Sequence, residues 1–85
     1  MRNKRTKQFH KLFAQLPRQV QEQAVTTYQL FRANPHHPSL HFKRIDPQEP
    51  IYSVRVGRNY RAVGLWEGDT ISWYWIGSHE DYNNL

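Results

Sequence analysis

The chain has 85 residues and a net charge of +5, enough for one small domain with a modest core and a basic balance that suits nucleic acid or an acidic protein partner. It has no cysteine, which excludes a disulfide framework and a thiolate metal site. No run reaches membrane-spanning length, and the basic start Met1-Arg2-Asn3-Lys4-Arg5 lacks the apolar segment of a signal peptide, so a soluble, cytoplasmic protein is the expectation.

Phe9, Leu12, Phe13 and Leu16 fall on one stripe of a short helix, with Thr6 as its N-cap. Pro17 suits the first position of a second helix, where its missing N–H costs nothing. Val20, Ala24, Tyr28 and Phe31 give that helix its buried face, and Asn34-Pro35 ends it. His36-His37-Pro38 reads as loop, Leu40–Ile45 as a strand, and Asp46-Pro47-Gln48-Glu49-Pro50 as a turn.

Ile51–Val56 and Tyr60–Trp66 are strands joined by Gly57-Arg58-Asn59, a hairpin loop that pairs Val56 with Tyr60, Arg55 with Arg61 and Val54 with Ala62. The turn Gly68-Asp69 then pairs Glu67 with Thr70, Leu65 with Ser72, Val63 with Tyr74 and Arg61 with Ile76. This register collects Tyr52, Val54, Val56, Tyr60, Ala62, Gly64, Trp66, Ile71, Trp73 and Trp75 on an uncharged face, expected to lie against the helices. Ser53, Arg55, Arg61, Val63, Leu65, Ser72, Tyr74 and Ile76 take the other face, which mixes charged and apolar positions as a binding surface does. His41, Lys43 and Ile45 are expected on that same side. The expected fold is α+β, with two N-terminal antiparallel helices on one face of a roughly four-stranded, mainly antiparallel twisted sheet, one domain over residues 1–85.

Arg55 opposite Arg61 is the anomaly of this pattern. Like charges directly opposite on a ladder destabilise it, so the pair points to a missing anion. The plainer account is a solvated face on which the two side chains splay into water. His79 follows the glycine expected to end the last strand, beside Arg61, and histidine exchanges protons near neutral pH. Tyr82 adds a phenol three residues later. Capping the strand end and packing the C-terminus are the structural alternatives for these two.

Arg55-Val56-Gly57-Arg58-Asn59-Tyr60-Arg61-Ala62-Val63, followed after a turn by Trp75-Ile76-Gly77-Ser78-His79-Glu80-Asp81-Tyr82, resembles the RelE/ParE superfamily of type II toxin–antitoxin toxins. The resemblance spans nearly the whole chain and is best from Tyr52 to Tyr82. It implies a RelE-like fold and, in the RelE branch, cleavage of messenger RNA in the ribosomal A site, translation inhibition and neutralisation by a cognate antitoxin. Arg61, in the Tyr-Arg pair opening its strand, matches the family's phosphate-binding arginine, and Arg55 matches a basic strand position. His79 falls where members carry arginine or histidine, the histidine form being similar to the YafQ-like branch. Tyr82 stands near the C-terminal tyrosine of some members, at a shorter spacing. Ser53 replaces a strand lysine of one branch, the YoeB-like glutamate base has no counterpart, and Lys43 offers the missing charge.

The resemblance therefore implies a metal-independent ribonuclease that needs no cofactor. The neighbouring 2′-hydroxyl attacks the phosphate, and the site needs a proton acceptor, a proton donor and cations where charge builds. Arginine presents a planar fork for two phosphate oxygens. On this expectation Arg61, Arg55, His79 and Tyr82 are catalytic, and Lys43, His41 and Arg58 bind substrate. Two other readings stand beside it: a ParE-like toxin that poisons DNA gyrase through protein contacts, and a nucleic-acid-binding module without chemistry. The partners to expect are an acidic antitoxin, messenger RNA and the ribosome, with a toxin–antitoxin hetero-oligomer and no membrane.

Overall fold

Thr6 acts as the cap its position suggests: its hydroxyl accepts the Phe9 N–H at 3.1 Å and starts helix α1 (Lys7–Ala14). The second helix, α2 (Arg18–Ala33), begins one residue later than the sequence suggests, with Pro17 as its N-cap. The Gln21 side-chain amide donates to the Phe13 carbonyl at 3.0 Å and ties the turn between the helices. In the computed structural model, which describes residues 1–85, the chain then passes through a short 3₁₀ turn (Pro38–Leu40) and forms β2 (Lys43–Arg44), β3 (Ile51–Val56), β4 (Tyr60–Glu67) and β5 (Thr70–Ser78). A short helix α3 (His79–Asn83) closes it.

Two features add to the expected α+β plan. Residues Arg2–Arg5 form a strand, β1, parallel to β5, so the sheet has five strands in the order β1-β5-β4-β3-β2. A basic run is a poor strand former by propensity. Pairing fixes it instead: the Trp73 indole N–H donates to the Asn3 side chain at 3.0 Å and the Thr6 N–H donates to the Trp73 carbonyl at 3.0 Å. Its charges also suit an outer strand, where they discourage edge-to-edge association. The second addition is α3, capped by the Ser78 hydroxyl, which accepts the Asp81 N–H at 3.0 Å.

The helices cover one face of the sheet, and the core lies between them. Phe31 of α2 meets Trp73 edge-on at 5.4 Å between ring centres, and Phe42 at 4.9 Å. Val54, Val56, Ala62, Ile71 and Ile76 complete this buried cluster with Leu40. Helix α1 rests on β5 and α2 on β3. Between them is an apolar cleft of about 340 Å³ bordered by Phe9, Phe13, Ala24, Val25 and Tyr28, with Arg5 and His10 on its rim.

Most of the register is as expected: Val54 pairs with Ala62, Arg55 with Arg61, Val56 with Tyr60, Glu67 with Thr70 and Leu65 with Ser72. Beyond Gly64 it departs. Gly64 faces Trp73 but Val63 faces Trp75, so Tyr74 is the extra residue of a β-bulge. The expected Val63–Tyr74 and Arg61–Ile76 pairs are replaced by Val63–Trp75, Ala62–Ile76 and Arg61–Gly77. Ile76 therefore enters the core and Trp75 leaves it, the reverse of the alternation the sequence suggests. Strand β5 also runs past Gly77 to Ser78.

The Leu40–Ile45 strand is corrected as well. His41 adopts a left-handed backbone, φ 47°, which interrupts an extended run and leaves only Lys43 and Arg44 paired with β3. The 3₁₀ turn instead buries Leu40 in the core.

The bulge rests on the Trp73 ring lying against Gly64. A Cβ there would come within 2.8 Å of the ring and 3.1 Å of Ile71. Gly64→Ala is therefore expected to lower the unfolding free energy by about 1–3 kcal/mol, the usual cost of overpacking, as read by urea denaturation. An unchanged midpoint would show that the ring moves aside freely.

Candidate functional site

The face turned away from α1 and α2 carries two adjacent cross-strand rows. One runs Arg55, Arg61, Gly77; the next runs Lys43, Ser53, Val63, Trp75. Ser53 and Val63 are both buried on this face, and the side chain of Tyr82 folds back from α3 over Ser53. Its hydroxyl reaches the Ser53 hydroxyl at 3.4 Å, a long hydrogen bond.

Arg61 lies at the centre. Its guanidinium carbon is 5.4 Å from the centre of the Tyr82 ring, within cation–π range. Its Nε and Nη1 are buried and have no hydrogen-bond partner. Such donors are normally satisfied, and leaving one unpaired costs about 1–3 kcal/mol, more when it is charged. The His79 ring stacks on Tyr82 with centres 5.8 Å apart and planes 21° from parallel. The His79 backbone N–H donates to the Asn59 carbonyl at 2.7 Å, which seats the start of α3 on the β3–β4 hairpin. Arg61 and His79 thus each lie against the Tyr82 ring.

Arg55 behaves differently. Its backbone pairs with Arg61 as expected, but its Nε donates to the Gly57 carbonyl at 3.1 Å. Its side chain borders a shallow depression with Leu30, Ser39 and Leu40, toward the end of α2. The two guanidiniums are held by different surroundings, and only one of them lacks partners. Lys43 is exposed in the Ser53 row and Arg58 is exposed at the hairpin tip. His41 is exposed in its left-handed turn and does not extend the sheet, so its expected place on a strand beside Arg55 is not met.

Two site residues escape the sequence pattern. Trp75 is assigned to the core by alternation and reaches this face only through the bulge. Its ring lies 6.5 Å from that of Tyr82. Ser53 looks like ordinary strand filler and proves to be the anchor of the Tyr82 hydroxyl. The sequence carries no signal for the first; the second is visible only as a small polar residue at a position that becomes fully buried.

At the far end of the sheet, burial first and the Asp46 carboxylate second raise the phenol of Tyr74 above its ordinary 10.0. The backbone N–H groups of Glu49 and Gln48, at 2.9 and 2.8 Å, hold the Asp46 carboxyl below its ordinary value.

A family model described as a ParE-like toxin domain matches residues 18–84. No curated protein sequence matches the chain significantly. Among solved structures, a chain of the RelB–RelE antitoxin–toxin complex from Methanococcus jannaschii is similar at TM-score 0.76 and 21% identity, covering 95% of each chain. YafQ from E. coli is similar at TM-score 0.76 and 10% identity, covering 96% of this chain and 98% of its own. A YoeB/ParE toxin from Agrobacterium tumefaciens is similar at 0.72 and 12%, covering 93% and 99%. At these identities the structures establish the shared fold.

Removing the unpaired donors of Arg61 while keeping an unbranched apolar stem is expected to stabilise the fold. Arg61→Met should gain about 1 kcal/mol or more in chemical denaturation; a loss would show that the guanidinium is already satisfied. Tyr74 supplies a pH test. Its raised pKa makes the folded form hold the proton longer, so this contribution to stability is full below pH 10.0 and is lost as pH rises through the raised value. In ultraviolet titration, Asp46→Asn should bring the Tyr74 transition back toward the ordinary range; no movement would leave burial as the sole cause.

Proposed function

This chain belongs to the ParE-like toxin domain family, within the RelE/ParE superfamily of toxin–antitoxin toxins, and from that premise we propose that it is a metal-independent endoribonuclease cutting messenger RNA on the ribosome. Residues 1–85 make up its single toxin domain, and it acts in the cytoplasm to inhibit translation and arrest growth. One observation carries the reading: half-buried Arg61 holds two buried donor nitrogens without partners, against the same Tyr82 ring on which His79 stacks. A site that sacrifices hydrogen bonds in its resting state is suited to an anion that arrives later. A purely structural arginine would have been paired.

In the proposed reaction the ribose 2′-oxygen attacks the adjacent phosphorus and the bond to the 5′-oxygen breaks. A cyclic phosphate and a free 5′-hydroxyl result. Arg61 donates to the non-bridging oxygens as negative charge builds on them. His79 takes the proton of the 2′-hydroxyl as base, and Tyr82, stacked on its imidazole, gives a proton to the departing 5′-oxygen. Arg55 joins Arg61 on the phosphate by exchanging its Gly57 carbonyl for a phosphate oxygen. The exposed cations Lys43 and Arg58, with His41, take the flanking phosphates, whose attraction is salt-sensitive.

A cognate antitoxin is the proposed protein partner. The similarity to the M. jannaschii RelB–RelE complex supports it, as does the charge of +5. The apolar cleft between α1 and α2, with Arg5 and His10 at its rim, suits an acidic amphipathic segment.

The family model's own description favours one competing reading, a ParE-like toxin that inhibits DNA gyrase. Primer-extension mapping of transcripts after induction separates the two. Discrete cuts within translated messages are expected, and Arg61→Ala should lose about 10²-fold or more in cleavage rate. Arg61→Lys should restore little, because an ammonium lacks the planar fork. Intact messages with gyrase-linked DNA breaks would overturn the nuclease reading, and undiminished cleavage by Arg61→Ala would remove its central residue.

A further inference from the structure

We propose that Trp75 is a stacking platform for a nucleobase beside the scissile phosphate, and that the Tyr74 bulge exists to deliver it there. The inference rests on the nuclease reading and adds to it a positioning residue.

Plain alternation from Trp73 sends Trp75 inward, where a large aromatic ring gains most from burial. The bulge gives that place to Ile76 and turns Trp75 to the face of Arg61, opposite Val63. Bulges near functional sites commonly re-aim one side chain in this way. Where the indole comes to rest is equally informative. A Cβ on Gly77 would lie 2.7 Å from Cζ2 and 2.8 Å from Cη2 of Trp75, so the six-membered ring lies over the Gly77 backbone. Gly77 is the direct partner of Arg61. The absence of a side chain at Gly77 therefore lets the ring extend to the row that holds the free guanidinium. The Tyr82 ring, which Arg61 meets, lies 6.5 Å from that of Trp75 and tilted by 45°, so the two rings share this face without stacking on each other.

Trp75 is only half-buried, leaving ring surface open. A cation beside open aromatic surface matches the alternation of phosphate and base along a single strand. Base–aromatic stacking is tolerant of sequence, so the platform strengthens binding of whichever base lies next to the cut. Arg61 holds the phosphate and Trp75 fixes the angle at which the chain crosses it. A plain cover for Gly77 would need no contact with RNA.

The test uses the full chain with ribosomes programmed by a short message carrying 2-aminopurine beside the cleaved bond. Stacking on Trp75 should quench the 2-aminopurine fluorescence when the unsubstituted chain binds. Trp75→Leu keeps an apolar side chain over Gly77 but has no aromatic face. It should lose the quenching and raise KM about tenfold while kcat changes far less, and Trp75→Phe should recover much of the loss. Parent-like KM and quenching in Trp75→Leu would overturn the platform. So would unquenched fluorescence with the unsubstituted chain, a result that needs no variant to fold. A chain that cuts no message at all would overturn the nuclease reading itself, and the platform with it.

Discussion

Trp73 joins three separate parts of the chain. Its ring lies on Gly64 of the neighbouring strand, its face meets Phe31 of α2, and its indole N–H holds Asn3 of the first strand. Its carbonyl accepts the Thr6 N–H just where that strand gives way to α1. A large ring pressed against a glycine needs that glycine, and it also holds the two strands in register up to this point. Directly beyond it the register slips by one residue. The order of events along β5 is thus a locked pair, a bulge, and then a swapped pair of side chains that divides core from site.

The bulge links stability to function in a way that neither residue shows alone. Ile76 fills the core with an aliphatic side chain and is 2% exposed. Trp75 is then free for the opposite face. Had the register continued, Arg61 would have faced Ile76 rather than Gly77, and a branched side chain would occupy the space where the indole now lies. The site therefore depends on glycine for space and on the bulge for direction. Tyr82 completes it from outside the sheet by covering Ser53 and stacking with His79.

Much of this was legible in the residues themselves. Hairpin geometry is local, so Gly57-Arg58-Asn59 and Gly68-Asp69 were sufficient to place Arg55 opposite Arg61 and Glu67 opposite Thr70. The helical stripes and the Thr6 cap are equally local. The failures involve contacts between distant segments or degenerate hydrophobic patterns. Nothing in Arg2-Asn3-Lys4-Arg5 announces a strand, because its partner lies nearly seventy residues away, as the Asn3–Trp73 bond shows. In Tyr74-Trp75-Ile76 every residue suits either face, so hydrophobicity cannot locate the slip. His41 is neither glycine nor asparagine, and its left-handed backbone follows from burying Leu40, a tertiary demand.

The paired arginines show why register alone does not identify a working residue. By sequence Arg55 and Arg61 are equivalent, two like charges facing each other on a ladder. Their surroundings separate them. Arg55 stands on β3 beyond the short reach of β2, so its side chain lies along an open edge and finds the Gly57 carbonyl. Arg61 stands on the central strand, enclosed by neighbours on both sides, and two of its nitrogens find nothing. Mutual repulsion is relieved by moving one guanidinium to the edge, and the one that remains is kept in place by the Tyr82 ring, which attracts a cation without consuming its N–H donors. Donors that are fixed in position yet uncommitted need little reorganisation when an anion arrives, and that is the condition under which electrostatic stabilisation of a developing charge is most effective.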